Sequence, residues 1–209
     1  MTLNNDGRTC DSNSANESYI VIATFTDIYR LNHHQIGKDS IVRLPTRNVE
    51  NIGALAFNRL GHSIVYSDTN QRTIFSMHLD TYRQTVHFEN AEMVEGLDVD
   101  PFTENIYWTE VTRGTVVVGH KNHDGDYERL VLVRDLHSPK GITIAPEFGK
   151  MFIVAGRISH VISVCHMDGG HREELVQVYG TVSAMAYDGK HLYFSDSLRS
   201  TIERIKVGG

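Results

Sequence analysis

The hydrophobic positions of this chain gather in short runs rich in Val, Ile, Tyr and Thr, separated by Gly, Asp and Asn. Residues 106–120, IYWTEVTRGTVVVGH, show the unit of the pattern: two strand-forming runs joined by a polar Thr-Arg-Gly. Aromatic and β-branched residues favour a pleated surface and Gly114 relieves the bend, so the stretch predicts a β-hairpin. A hairpin alone is marginally stable and needs something to pack against. The same pattern supplies it by recurring. IVYSD (64–68), IYWTE (106–110), MFIVA (151–155) and LYFSD (192–196) occupy equivalent places, preceded by a degenerate copy, IVIAT (20–24). Their last residues, Thr24, Asp68, Glu110, Ala155 and Asp196, are 44, 42, 45 and 41 residues apart.

The flanks repeat in step. GALAF, EGLDVD, KGITIA and SAMAYD come before the hairpins; TIFSMHLD, TVVVGHKNHDG, VISVCHMDGG and TIERIKVGG complete them; RQTVHF, YERLVLV and REELVQV lie between units. One unit is therefore about four short strands. Its first strand is apolar on consecutive positions, as where both faces are buried. Its last mixes charge with apolar residues, as a solvent-facing edge does. Strands graded from buried to exposed and repeated with one grammar predict an all-β fold, the β-propeller, with each hairpin inside a blade that packs face-on against the next.

Composition narrows the function. Of 209 residues, 40% are hydrophobic, enough for a sizeable core. The net charge is −6 with scattered Lys and Arg, which argues against a nucleic-acid footprint. No apolar run approaches the roughly 20 residues that span a bilayer, and the polar start MTLNNDGRTCDSNSANES does not read as a signal peptide. Two cysteines, Cys10 and Cys165, make neither a disulfide framework nor a structural zinc site. Cys165, inside VISVCHM, reads as a buried free thiol.

The WD dipeptide of WD40 propellers is absent. IYWTE, IVYSD and LYFSD, with GLDVDP and the turn MDGG, instead resemble the YWTD repeats of the low-density lipoprotein receptor family, over residues 19–209. The resemblance implies a YWTD β-propeller built from LDL-receptor class B repeats, with six blades in the family and about five units here, the last ending at Gly209 without its outer strand. This leads to the expectation of an incomplete segment of a larger receptor, a five-bladed closure being the alternative. LNNDGRTC (3–10) resembles the last turn of an EGF-like module, which implies that residues 1–18 are the remnant of that module and a linker. Cys10 would then pair with a cysteine upstream of this chain.

By the same resemblance Tyr66, Tyr107, Trp108, Tyr193 and Phe194 pack between blades. Asp68, Glu110 and Asp196 accept hydrogen bonds from backbone N–H groups of a neighbouring strand. These carboxylates stand at one place in successive units, a scaffold pattern rather than a catalytic one. Units with Thr24 and Ala155 at that place are expected to be locally weaker. HDGD (123–126) and MDGG (167–170) read as ordinary Asp-Gly turns, since the calcium-loop spacing is missing.

Twelve histidines are present, most of them read as exposed. In the family, propeller histidines take part in acid release of cargo, and His120, His123 and His137 are the candidates for pH sensing. Asn16, in the sequon Asn16-Glu17-Ser18, is a candidate glycosylation site. The expected function is a non-enzymatic propeller module of an endocytic or signalling receptor. It would be extracellular or lumenal and bind a lipoprotein, yolk protein or signalling ligand, or neighbouring receptor domains. An ER folding chaperone for such propellers is a further implied partner. No cofactor is expected in this segment; calcium belongs to neighbouring modules of the parent receptor. Two alternatives stand beside it: a calcium-dependent lactonase-like hydrolase, and a matrix linker propeller of the nidogen type. The innermost strands carry only Asp98 and Asp100 as acids, which disfavours the hydrolase.

Overall fold

The computed structural model describes residues 19–32 and 41–207. Cys10, Asn16 and the EGF-like stretch lie outside them. The described chain is all-β, with one short 3-10 turn, Pro146–Phe148, closed by Gly149 in the left-handed conformation. No helix among the described residues is long and apolar enough to cross a membrane.

Eighteen strands form five antiparallel sheets, each a blade. Blade 1 is β1 (Tyr19–Ala23), β2 (Ile28–Asn32) and β3 (Ile41–Arg43). Blade 2 is β4 (Ile52–Asn58), β5 (Ser63–Asp68), β6 (Thr73–His78) and β7 (Gln84–Glu89). Blade 3 is β8 (Gly96–Val99), β9 (Ile106–Glu110), β10 (Thr115–Lys121) and β11 (Tyr127–Val133). Blade 4 is β12 (Pro139–Ala145), β13 (Lys150–Ala155), β14 (His160–His166) and β15 (Glu173–Val178). Blade 5 is β16 (Met185–Tyr187), β17 (His191–Asp196) and β18 (Thr201–Lys206). Four strands per unit thus hold for the middle three blades. Among the described residues the first shows no counterpart of the inner strand and the last none of the outer one.

The repeat is exact enough to carry its irregularities. A β-bulge separates Ile74 from Phe75, Val116 from Val117 and Ile162 from Ser163, the same step of the third strand in blades 2, 3 and 4. Bulges kink and twist an edge pair, here splaying each outer strand from its neighbour.

Hydrophobic burial is divided among four seams. Ile28 and Leu44 meet Tyr66, Phe75 and Met77 between blades 1 and 2. Val65, Ile74 and Phe88 meet Leu97, Trp108 and Val117 between blades 2 and 3. Tyr107, Val116 and Val133 meet Ile142, Met151, Ile153 and Cys165 between blades 3 and 4. Phe152, Val154 and Ile162 meet Leu192 and Phe194 between blades 4 and 5. Among the described residues no core joins blade 5 to blade 1. The outer face of blade 1 accordingly shows Ile20 and Ile22, about half exposed, beside Ile41. Two of the four inner strands depart from the expectation of full burial, β4 being mostly half-buried and β16 having no buried residue, whereas β8 and β12 are mostly buried.

Candidate functional site: the seams between blades

Each second strand ends at the turn into the third, and the residue there decides how that corner is built. Asp68 accepts from the amides of Asn70 and Gln71, both at 3.0 Å, through one oxygen, and from the amide of Glu50 at 2.7 Å through the other. Asp196 accepts from Leu198 and Arg199, at 2.9 and 3.2 Å. The donors differ from the neighbouring-strand amides expected from the sequence. They lie in the acid's own turn and, for Asp68, in the segment leading into its own blade. A short side chain at a strand end reaches the nearest free N–H groups first.

Glu110, one methylene longer, gathers side chains of its own turn and strand together with the amide of Glu92, in the segment leading into its own blade. It accepts from Arg113 at 3.0 and 3.2 Å, Thr115 at 3.3 Å, the Trp108 indole at 3.4 Å and the amide of Glu92 at 3.4 Å. Arg113 also bonds the Asn90 carbonyl at 3.2 Å and the Glu92 carboxylate at 3.4 Å. Arg129 adds bonds to the carbonyls of Glu89 and Asn90, at 3.1 and 3.4 Å. Two guanidinium groups of blade 3 thus strap the end of blade 2, as a planar five-donor fork is suited to do.

At Thr24 the hydroxyl takes over the acid's place, accepting from the Asp27 amide at 3.1 Å. At Ala155 nothing does. The turn Gly156–Ser159 takes another path, with Gly156 at φ 139° and its amide on the His137 carbonyl at 2.7 Å. A side chain at 156 would meet the carbonyl of Ser159, so only glycine serves. The turn lifts Ile158 to 93% exposure. Beneath it opens a groove of about 850 Å³ lined by Leu136, Ala155, Ile158, Val161, Arg172 and Glu174, with His137 at its rim.

Aromatic residues occupy all four seams. Trp108 is fully buried with its ring 4.9 Å from Phe88, and Tyr66 stacks on Phe75 at 5.6 Å. Tyr107 and Phe194 are buried in the seams on either side of blade 4. Tyr193 is placed otherwise than expected: it lies on the outer face of blade 5, half-buried, donating to Asp188 at 3.0 Å.

Two features escaped the sequence reading. Asp98 crosses from β8 to β12, accepting from the Ile144 amide and the Thr143 hydroxyl, each at 3.0 Å. Burial pushes its carboxyl above the usual range, against these hydrogen bonds. The second concerns histidine. His120 and His123 are exposed at the far end of β10, whereas His137 follows β11 at the other end of that sheet, so the three are not brought together. Among the described residues His160 is buried and His87 is half-buried within blade 2. His87 bonds the Ser76 hydroxyl at 2.7 Å and stands edge-on to Tyr127 at 4.6 Å. Burial first, then Lys121, pushes it down to about 4. His160 accepts from the Val182 amide at 2.9 Å, and burial lowers it too. Their only sequence signal is a place inside strand runs. Among the described residues no group of three or more His, Cys, Asp or Glu side chains is gathered to hold a metal ion, and Cys165 is a buried free thiol.

Such a series of strand-graded blades, joined seam by seam, defines a β-propeller. No protein-family profile matches the chain. It is 26% identical over 202 residues to the vitellogenin receptor of Solenopsis invicta, covering 93% of this chain and 11% of that protein. It is 27% identical over 157 residues to the protein cueball of Drosophila simulans, covering 72% and 24%. The chain therefore spans a quarter or less of these relatives. Among solved structures, one from a nidogen–laminin complex superposes with a TM-score of 0.72 at 22% identity, over 86% of this chain and 67% of that one. A gluconolactonase from Xanthomonas campestris shares the fold at a TM-score of 0.61 and 17% identity, over 76% and 59%. In its repeat grammar and by these relatives the chain is similar to propellers of the low-density lipoprotein receptor type.

Proposed function

We propose that the chain is a non-enzymatic propeller module of an endocytic or signalling receptor, extracellular or lumenal, which binds a protein ligand or a neighbouring domain. Residues 1–18 would join it to an EGF-like module, with Cys10 in that module's last disulfide and Asn16 glycosylated in the linker. The observation that carries the reading is similarity to a vitellogenin receptor along 93% of the chain. The geometry agrees with it. Asp68, Glu110 and Asp196 are engaged in turn and seam hydrogen bonds, and Asp98 holds β12, so these carboxylates are committed to structure.

The test is binding of the 209-residue chain to immobilised vitellogenin and to laminin, at neutral pH and at pH about 5.5, with gluconolactone hydrolysis assayed in parallel. Saturable binding to vitellogenin that weakens in acid, without hydrolysis, is the expected result. Binding to laminin alone would favour the matrix-linker reading, to which the nidogen–laminin neighbour points. Turnover of the lactone would overturn the proposal.

A further inference from the structure

The groove between blades 3 and 4 has a counterpart one blade earlier, and the two match position by position. The shared register sets Ala155 against Glu110, Val161 against Thr115 and Ser163 against Val117; counted forward from the strand end, Ile158 stands where Arg113 does, in a turn one residue longer. Beyond the bulge it sets Glu174 against Val131 and Arg172 against Arg129. On the blade 2 side the loop carbonyls and Glu92 saturate the two guanidinium groups. On the blade 3 side the equivalent loop is Asp135–Leu136–His137, and the acid and the first arginine have both become apolar. Among the described residues Arg172 has no carboxylate within 4.0 Å and no hydrogen bond to the facing loop, and Arg157 on the rim has none either.

The groove therefore combines an apolar floor (Leu136, Ala155, Val161), an almost wholly exposed Ile158 at its lip, and a guanidinium without its oxygen partners. Its volume of about 850 Å³ lies in the range of small-ligand clefts. The blade 2–3 seam shows what that guanidinium takes when it is served: two oxygen acceptors on the opposite wall. We infer that this groove is a docking site for an extended peptide segment of a partner protein, seating an aliphatic side chain on the floor and offering the adjacent carboxylate to Arg172. The inference rests on the reading of the propeller as a protein-binding module and names where one partner segment sits. Asp135, Glu173 and Glu174 around Arg172 and Arg157 disfavour a run of acids, so the segment carries one carboxylate beside its apolar anchor.

The experiment is an amide NMR titration of the 209-residue chain with the tetrapeptide Ac-Gly-Leu-Asp-Gly-NH2 and its Asn analogue. Saturable shifts are expected at the amides of Leu136, of Gly156 to Val161 and of Arg172 to Glu174. The Asn analogue should bind at least tenfold more weakly, as should the Asp peptide to Arg172→Met. The double variant Ala155→Asp, Ile158→Arg restores the acid–arginine pair of blades 3 and 5, sets charge on the apolar floor and lip, and should abolish the shifts. Its melting curve and that of Arg172→Met establish that both are folded. Absent or scattered shifts, equal binding of the two peptides, or undiminished binding by the double variant would each overturn the inference. If the tetrapeptide fails while vitellogenin or laminin still binds the double variant, the groove is refuted and the receptor-module reading stands.

Discussion

Blade 3 meets its two neighbours in different ways. Toward blade 2 it presents Trp108 against Phe88 in the core and, at the rim, Glu110, Arg113 and Arg129 reaching across to loop carbonyls. Toward blade 4 the core is as well filled, by Tyr107, Val116, Ile142 and Ile153, yet the rim has no such straps. The difference traces to a pair of positions three apart, Glu110 and Arg113 in one unit and Ala155 and Ile158 in the next. A repeat protein can thus keep its packing constant and vary its rim, which is where binding surfaces arise at little cost to the fold.

The comparison breaks most sharply in the core of the first seam. Trp108→Ala should lower stability by about 3–5 kcal/mol, as loss of a fully buried large side chain does, whereas Ile158→Ser should stay within about 0.5 kcal/mol; urea unfolding compares the two. Arg113→Ala removes the strap and leaves the buried Glu110 with weaker donors. A loss of about 1 kcal/mol is expected, with faster hydrogen exchange at Asn90 to Glu92.

His87, in the same seam, adds a pH dependence. Its folded value, about 4, lies below the ordinary 6.5, so the unfolded chain takes up the proton first. The contribution is complete above pH about 6.5 and is lost as pH falls toward 4, at up to about 1.4 kcal/mol per pH unit. His87→Phe should flatten that part of the stability profile, and an unchanged slope would show that another group titrates. The smallest effects belong to the second rim. Ala155→Asp with Ile158→Arg should gain about 0.5–2 kcal/mol, read from the shift in unfolding midpoint at constant m-value. Arg172→Met should change stability by less than about 0.5 kcal/mol.

Much of the fold was legible because the chain states it repeatedly. Strands that recur at a period above forty residues, with acids at one fixed step, located the blades without any contact being known. The site was legible only in pieces. Ala155 was visible as a departure, and the expectation of local weakness followed from it, but the opening beneath it depends on where the turn then goes. The companion change at Ile158 carried that information, since it matches Arg113 and Arg199 in two of the three units that keep the acid, and Gln71 in the other. Asp98 looked like part of a buried strand motif, because no local pattern says that a carboxylate will reach the next blade. His87 and His160 looked like exposed polar residues. Burial of a single histidine is decided by the packing of a neighbouring blade, which lies some forty residues away in the chain.

The four separate cores have a consequence for how the molecule is made. Each seam needs only two consecutive units, so stability is close to a sum over neighbours along a line. During synthesis blade 2 can close on blade 1, and blade 3 on blade 2, while later units are still being added. Folding then advances like a zip that follows the ribosome, and the strapped seam between blades 2 and 3 is complete well before Tyr193 is translated.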